Sequence, residues 1–248
     1  MAPVRGSAIR IALAVLFILG AAAAWGQWLE IPIQPGESVW ASSSLVEQWG
    51  GRRIVYGPEN LFDGDIATSW SEGAEGPGVG EDLLVLTQRP IEELRLVNGY
   101  ASDAGLFLDN NRVKSLDVSI VAGLTAPGMV SETDWQLYFT RETVIAEGVL
   151  LDDAAEEQVL SIEWDDDDQY NLFYDAVEAF QADEGFLFSM ICKDLGVDPE
   201  NTGLVHYARD VMEFYGFYAV RLRIAEVYPG RKYDDTCLTE LAFELGEF

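Results

Sequence analysis

The stretch ENLFDGDIATSW, residues 59–70, places an aspartate on each side of a glycine, followed by a threonine and a tryptophan. Glycine allows a tight turn, so side-chain and backbone oxygens of neighbouring residues can converge on one point. Calcium takes about six to eight oxygen ligands, and Asp63, Asp65 and Thr68 offer such oxygens. An acidic turn that binds no metal has the same composition. The stretch is not the helix-flanked calcium loop, because Ala67 stands where a third ligand is needed.

The sequence around this stretch is dominated by short segments in which apolar and polar residues alternate, a pattern typical of half-buried strands. Clusters of Gly, Pro, Asn and Asp separate these segments. Because no regular alternation of strands and helices is present, the pattern predicts an all-β sandwich of two sheets. The predicted strands are residues 82–87, 92–98, 115–121, 158–164, 218–227 and 237–244.

The periodicity changes between residues 165 and 216, where apolar residues recur three and four positions apart. This spacing is typical of amphipathic helices. Asp198 followed by Pro199 is a common helix start, and Gly196 and Gly216 are plausible helix ends. The sequence therefore predicts a helical insertion at about 165–216, which either covers one end of the sandwich or binds a partner.

Residues 1–26 have the order of an export signal: a basic start with Arg5 and Arg10, an apolar run at 11–24, and small residues before Gln27. The run is shorter than the roughly 20 residues that a membrane-spanning helix needs. We expect cleavage near residue 26, a mature domain at 27–248 in the periplasm or outside the cell, and no membrane insertion after cleavage. An uncleaved signal anchor is the alternative.

The chain is strongly acidic, with 43 Asp and Glu residues against 15 Lys and Arg and a net charge of −28. Such a surface repels phosphate backbones and anionic lipids, which argues against nucleic acid and membrane-surface partners. It suits cations, basic proteins, or neutral ligands such as sugars. The acidity can equally serve solubility alone.

Residues typical of catalysis are scarce. His206 is the only histidine, which argues against histidine-based metal sites and nucleophile–base triads, and no phosphate-binding glycine loop is present. With so many acids, a carboxylate pair at glycosidase spacing can arise anywhere, so its occurrence indicates nothing. Cys192 and Cys237 could form a disulfide in an oxidising compartment, and two buried free thiols are the alternative.

Several motifs together resemble a known family. ENLFDGDIATSW, followed near the end of the chain by CLTELAF (residues 237–243), resembles the discoidin, or coagulation-factor type C, group of galactose-binding-like domains. The fuller set is similar to the bacterial variant named after the translocation domain of a secreted NAD glycohydrolase. That set is FDGDIATSWSEG (62–73), GVGEDLLV (78–85), LRLVNGYA (94–101), NNRVKSLDV (110–118) and VYPGRKYDDTCLTELAF (227–243).

The resemblance implies a jelly-roll β-sandwich, a structural calcium ion at the Asp63–Gly64–Asp65 turn, and ligand capture by loops at one end. It also places Glu240, from the last strand, beside Asp63, Asp65 and Thr68 as a fourth calcium ligand. It does not imply NAD hydrolysis.

Sugar recognition needs an aromatic face together with amide or guanidinium groups that bind hydroxyls in pairs. Tyr100, Asn110, Asn111 and Arg112 offer this combination, and the resemblance places them among the sandwich loops. The alternative is that Asn110 and Asn111 only turn the chain while Arg112 pairs with an acid.

Three functions remain open at this point. The first is an exported, non-catalytic module that binds carbohydrate or a cell-envelope component. The second is a glycoside hydrolase that uses carboxylates. The third is a periplasmic scaffold that binds a protein partner through the helical insertion.

Overall fold

The structure is a computed structural model that describes residues 26–31, 33, 38–132, 134–160, 162–163, 165–198 and 204–246. The predicted export signal lies outside these residues except for Gly26. The side chains of residues 166, 204–207 and 209 also lie outside the description, and they include His206.

The described residues form twelve strands and four α-helices. The strands are β1 (Gln27–Glu30), β2 (Val39–Ala41), β3 (Leu45–Trp49), β4 (Arg52–Tyr56), β5 (Trp70–Ser71), β6 (Asp82–Leu86), β7 (Ile91–Asn98), β8 (Asn111–Leu124), β9 (Leu137–Leu150), β10 (Glu157–Val159), β11 (Gly216–Tyr228) and β12 (Thr236–Leu245). The helices are α1 (Ala104–Asp109), α2 (Asp166–Asp183), α3 (Gly185–Leu195) and α4 (Leu204–Tyr215), and a 3-10 helix spans Pro58–Phe62.

Ten strands form one continuous sheet, whose main order is β10-β7-β12-β8-β11-β6-β2. Strand β9 pairs with β8 and carries β1 on its other edge, and β5 pairs with β12. Strands β12 and β8 run parallel over a short step, where Thr236 pairs with Asn111 and Cys237 with Arg112. This step joins the β10-β7-β12 part of the sheet to the part built on β8, while β3 and β4 form a separate hairpin.

The two parts of the sheet share an apolar core. Leu94 of β7 and Leu241 of β12 belong to the same buried cluster as Val118 of β8, Leu222 of β11 and Leu83 of β6. Each of these side chains is at most 3% exposed. Full burial of such a side chain contributes about 1.5–3 kcal/mol, so this cluster holds the two layers together.

The helices cover the C-terminal half of β8 and the adjoining start of β11. On β8, Leu116 and Val118 face the sheet-to-sheet core, whereas Ile120, Ala122 and Leu124 further along belong to a second cluster with the helices. Because alternate residues of a strand point to one face, a single face of β8 is covered first by sheet and then by helix. The helical contribution to the second cluster includes Phe173, Val177, Phe180, Ile191 and Val211.

The fold class predicted from the sequence, an all-β galactose-binding-like sandwich with a helical insertion, is confirmed. Helices α2 to α4 lie between residues 166 and 215. Five predicted strands correspond to β6, β7, β8, β11 and β12, whereas the one predicted at 158–164 matches only the short β10. Strands β1 to β5 and β9 were not predicted. No helix in the described ranges is long and apolar enough to cross a bilayer.

Candidate functional site

Several loops converge at one end of the sandwich. We call residues 42–81, 99–110 and 229–235 the loop end. Its segments are tied together by hydrogen bonds: Trp70 donates to the Ser43 carbonyl (3.0 Å), the Tyr100 hydroxyl donates to the Ala67 carbonyl (3.1 Å), and the Arg231 amide donates to the Leu108 carbonyl (3.0 Å). The loop end therefore contains Asp63, Asp65 and Thr68 of the predicted calcium set and Tyr100 and Asn110 of the predicted ligand set. The remaining predicted residues, Asn111, Arg112 and Glu240, lie on strands β8 and β12.

The predicted calcium turn follows the 3-10 helix. Gly64 has a φ of +72°, a conformation that favours glycine. Asp63 accepts a hydrogen bond from the Asp65 amide at Oδ1 (2.8 Å), and its Oδ2 lies 2.8 Å from the Thr68 hydroxyl. The same hydroxyl lies 2.9 Å from the Asp65 carbonyl oxygen. The structure therefore brings the three predicted ligands of this turn together.

Glu240 on β12 faces this turn, as the resemblance implied. Burial raises the pKa of its carboxyl, and so do the charges of Asp63 and Asp65, while a hydrogen bond from the Gly64 amide lowers it. Its Oε1 atom is buried and has no hydrogen-bond partner among the described residues. A buried acceptor without a partner costs about 1–3 kcal/mol, a cost that a bound cation would remove.

The candidate ligands are oxygen donors of the kind that calcium prefers, but they are not gathered into a complete coordination shell. By distance, the part of the chain that the structure describes contains no group of three or more His, Cys, Asp or Glu side chains able to hold a metal ion. The turn's own hydrogen bonds occupy oxygens of Asp63 and Thr68. The donors are nevertheless all hard oxygens, which calcium prefers, and Asp63 and Asp65 lie close enough to Glu240 for their charges to raise its pKa in addition to burial. Calcium binding stays a prediction.

Two tyrosines lie beside the turn. The rings of Tyr56 and Tyr100 meet edge to face, with centroids 6.4 Å apart and an interplanar angle of 73°. The Tyr56 hydroxyl donates to Glu47 Oε2 (3.2 Å). Burial and the nearby Glu47 charge raise the pKa of Tyr56 to about 12, so this phenol stays protonated at neutral pH. Both tyrosines are half-buried, and together with Glu47 they offer aromatic faces, hydroxyls and a carboxylate at the surface.

The β3–β4 hairpin projects from the loop end. Gly50 and Gly51, with φ of +57° and +78°, form the two-residue turn between the paired residues Trp49 and Arg52. Two consecutive residues with positive φ are typical of the type I′ turn that closes tight hairpins. Trp49 is 77% exposed, and Arg52 and Arg53 are exposed as well. The sequence analysis did not select these residues, although Gly-Gly between two five-residue runs is a recognised hairpin signal.

Three of the four predicted ligand residues have internal roles. Arg112 is 5% exposed and donates from Nε and Nη2 to the two carboxylate oxygens of Asp153 (2.9 and 2.8 Å). Its Nη1 donates to the carbonyls of Asn110 and Pro229, both at 3.0 Å. These contacts use the guanidinium inside the protein, which argues against a sugar contact.

The two asparagines also bond inward. The Asn110 amide donates to the Leu106 carbonyl (2.8 Å) at the end of α1. The Asn111 amide donates to the Asp234 carbonyl (2.9 Å), and its oxygen accepts from the Gly230 amide (2.6 Å). These bonds fix the β11–β12 loop against the start of β8. Of the four predicted ligand residues, only Tyr100 enters the site proposed below.

The predicted disulfide is not formed. Both thiols are free, and they lie in different parts of the fold. Cys192 is buried in the helical cluster on α3. Cys237 is buried at the start of β12, with its Sγ 3.0 Å from the Ser71 hydroxyl. Burial raises the pKa of the Cys237 thiol to about 12, so it stays protonated. The expectation of a Cys192–Cys237 bond is corrected to two buried thiols.

Glu72 is a fully buried carboxyl under the loop that follows β5. It accepts hydrogen bonds from the Ala74 amide (2.8 Å) and the Thr236 amide (3.2 Å), so it ties this loop to β12. Burial raises the pKa of Glu72 to about 7, against the lowering effect of these two hydrogen bonds. The nearby Asp235 and Glu81 charges raise it further. Because Glu72 is fully buried, it serves as a structural tie and is not open to a substrate.

The fold and the loop end define a galactose-binding-like β-sandwich domain of the discoidin group. A family model described as the NAD glycohydrolase translocation F5/8 type C domain matches residues 34–244. This match spans most of the chain, so the chain belongs to that family, as its motifs indicated. No curated protein matches the chain.

Among solved structures, the chain is similar to the CBM32-1 and CBM32-2 domains of Clostridium perfringens ZmpB in complex with GalNAc. The two share 10% sequence identity with a TM-score of 0.37. The alignment covers 88% of this chain and 39% of that chain, so this chain spans about two fifths of that protein's length. The bound GalNAc is a property of that protein.

Proposed function

We propose that the chain is an exported, non-catalytic binding module that recognises carbohydrate, as part of a glycan or a cell-envelope component, at its loop end. The observation that carries the proposal is the pair formed by Tyr56 and Tyr100, with the Glu47 carboxylate beside them. A half-exposed aromatic ring suits the apolar face of a pyranose, and fixed polar groups at its edge suit the hydroxyls. Membership of a type C domain family supports a binding role.

A calcium ion at Asp63, Asp65, Thr68 and Glu240 would have a structural role in this function. The turn carries Ala67, whose carbonyl accepts from Tyr100, so an ion that fixes the turn would also fix this tyrosine. It would join the long segment before β6 to the last strand. Calcium would therefore strengthen sugar binding by ordering the loop end, without itself touching the sugar.

Two carboxyls whose pKa values are raised by burial, Glu72 and Asp82, are not placed for hydrolysis. Glu72 is fully buried, and Asp82 is 6% exposed and lies near Arg221 and Arg223 at 3.6 and 3.7 Å. Neither of these two acids, whose pKa values are raised by burial, can reach a glycosidic bond. A panel of chromogenic glycosides should show no turnover, and turnover that is lost with a single Asp or Glu substitution would favour a hydrolase.

The test of binding is an array of immobilised glycans probed with residues 27–248 in the presence of calcium. We expect binding to at least one glycan class, and loss of that binding in Tyr100→Ala with the far-ultraviolet circular dichroism unchanged. Leu150→Ala, an exposed position on β9, is the control and should bind as the parent does. An array without any bound glycan would contradict the proposal.

A further inference from the structure

The tip of the β3–β4 hairpin combines an exposed aromatic ring with two cations in a chain whose net charge is −28. Trp49 is the most exposed of the large apolar side chains at the loop end. Side chains directly opposite each other in an antiparallel pair lie on one face, with Cβ atoms about 5 Å apart. Trp49 and Arg52 are such a pair, so their side chains start from adjacent positions on one face of the hairpin.

The same face of the hairpin leads to the proposed sugar site. Residues two apart on a strand share a face, so Trp49 shares its face with Glu47, and Arg52 shares its face with Tyr56. The hydrogen bond from Tyr56 to Glu47 confirms that these two side chains lie together. The face extends over about 14 Å from the Leu45–Tyr56 pair to the Trp49–Arg52 pair, at about 3.4 Å per residue. It is longer than one sugar ring and suits an extended chain.

Neither Arg52 nor Arg53 has a salt bridge to a described residue. The cations that do have carboxylate partners are Arg95, Arg112, Lys114, Arg221 and Arg223. The cation–π contacts among the described side chains are at Phe107 and Tyr233, and the Trp49 side chain is 77% exposed. In an acidic protein, two guanidinium groups at a projecting tip can bind an anionic group from outside.

We propose, on the basis of the function above, that the hairpin selects acidic glycans, with Arg52 binding an anionic group of the sugar while Trp49 packs against its ring. A guanidinium binds a carboxylate through two parallel hydrogen bonds, which gives both strength and orientation. Arg53, on the opposite face, adds positive potential at the tip. The anionic group can be the carboxylate of a uronic acid or of a terminal sialic acid, since both present paired oxygens. An anionic membrane fits less well, because an extended charged surface meets the acidic remainder of the domain.

The experiment is a calorimetric titration of the domain with three probes. The first is a galacturonic acid oligosaccharide, the second is the same oligosaccharide with its carboxylates methyl-esterified, and the third is sialyllactose. We expect one of the two acidic probes to bind. If it is the uronate, the ester should bind at least about tenfold more weakly, since one charged hydrogen-bonded pair contributes about 1.5–3 kcal/mol. Lactose is the matched neutral probe for sialyllactose.

Variants then test which residues cause the preference for acidic sugars. R52A/R53A should bind the acidic probe as weakly as its neutral counterpart, W49A should lose binding of both, and K193A on α3 should bind as the parent does. Equal affinity of the parent for acidic and neutral probes, or unchanged affinity in R52A/R53A, would overturn the inference.

The outcomes also separate this inference from the proposed function. If the array shows only neutral glycans, carbohydrate binding stands and the acidic selection fails. If it shows no glycan at all, both fail. Binding of the parent to phosphatidylglycerol vesicles that is lost in W49A, without binding to any sugar probe, would overturn the inference and assign the hairpin to a lipid surface.

Discussion

Arg112 and Glu72 show at the scale of single residues how the loop end is held in place. Arg112 joins the start of β8 to Asp153 and to the β11–β12 loop, and Glu72 joins the loop after β5 to β12. Each is buried, so each depends on the hydrogen bonds that compensate for lost hydration. Their substitution should therefore change stability before it changes ligand contacts.

Replacing Arg112 by Ala should lower the free energy of unfolding by about 2–4 kcal/mol, because Asp153 and two carbonyls lose a charged partner. Urea denaturation measures this difference. Lys114→Ala is the matched control: its ion pair with Glu226 is exposed and screened by solvent, so the loss should be much smaller than in Arg112→Ala. A loss in Arg112→Ala no larger than in the control would show that the buried ion pair contributes little.

Glu72 should make stability depend on pH. Its pKa of about 7 in the folded protein lies above the ordinary value of 4.5, so the folded chain keeps a proton that the unfolded chain releases between these values. The contribution of Glu72 to stability is therefore greatest below about pH 4.5 and falls as the pH rises through about 7. Glu72→Gln cannot ionise, so relative to the parent it should gain stability between pH 5 and pH 8. Urea denaturation at several pH values tests this, with the exposed Glu75→Gln as control; a difference that stays constant with pH would contradict it.

The thiols give a simple check of the corrected cysteine assignment. Denaturation without reductant followed by thiol titration should find two free thiols per chain, because Cys192 and Cys237 lie in separate parts of the fold. One disulfide and no titratable thiol would restore the bond that the sequence suggested.

At the scale of elements, the turn at residues 63–68 and strand β12 depend on each other. Burial raises the pKa of Glu240, and the carboxylates of Asp63 and Asp65 raise it further through a repulsion that a cation would relieve. With calcium, the melting temperature of the parent should rise, since an ion that binds only the folded state stabilises it. Asp63→Ala should abolish this dependence on calcium. Asp117→Ala on β8, whose carboxylate accepts from the Gly148 amide of β9, should retain it. A parent melting curve that is identical in calcium and in chelator would exclude the site.

The elements also show what the sequence could predict. Strands β6, β7, β8, β11 and β12 could be predicted from short, largely apolar segments bounded by turn residues. Strand β7 alternates in burial, whereas β6, β8 and β11 are buried on both faces over most of their length. The helical spacing of α2 to α4 is equally plain. Strand β9 was missed because its pairing with β8 shifts register between Leu116 and Ser119, which breaks the period of two. The predicted helical insertion starts at an acidic run, residues 165–168, in which Asp165 caps α2 by accepting from the Asp168 amide (3.1 Å).

The site residues could be predicted only where the resemblance fixes their relative positions. The Asp63–Gly64–Asp65 turn and its neighbour Glu240 could be predicted because the resemblance fixes their relative positions. The inward bonds of Asn110, Asn111 and Arg112 could not, since Asp153, Pro229 and Asp234 are distant in sequence. Composition distinguishes neither a buried guanidinium from an exposed one nor a structural amide from a ligand-binding amide.

At the scale of the whole molecule, one sandwich carries two differently covered ends. The helices bury the far halves of β8 and β11, while the loop end keeps aromatic, acidic and cationic side chains at the surface. We therefore expect a ligand to bind at the loop end and not at the helix-covered end. A binding module of this kind needs its loops fixed by a rigid scaffold, which the shared core provides.

The most direct test is to map a bound sugar by nuclear magnetic resonance on the isotope-labelled domain, residues 27–248, in calcium. A glycan from the array should shift the amide signals of β3, β4 and residues 99–103, together with the indole signal of Trp49. The signals of α2, α3 and α4 should stay unchanged. Shifts confined to α2, α3 and α4, or no shifts at saturating sugar, would contradict a glycan site at the loop end.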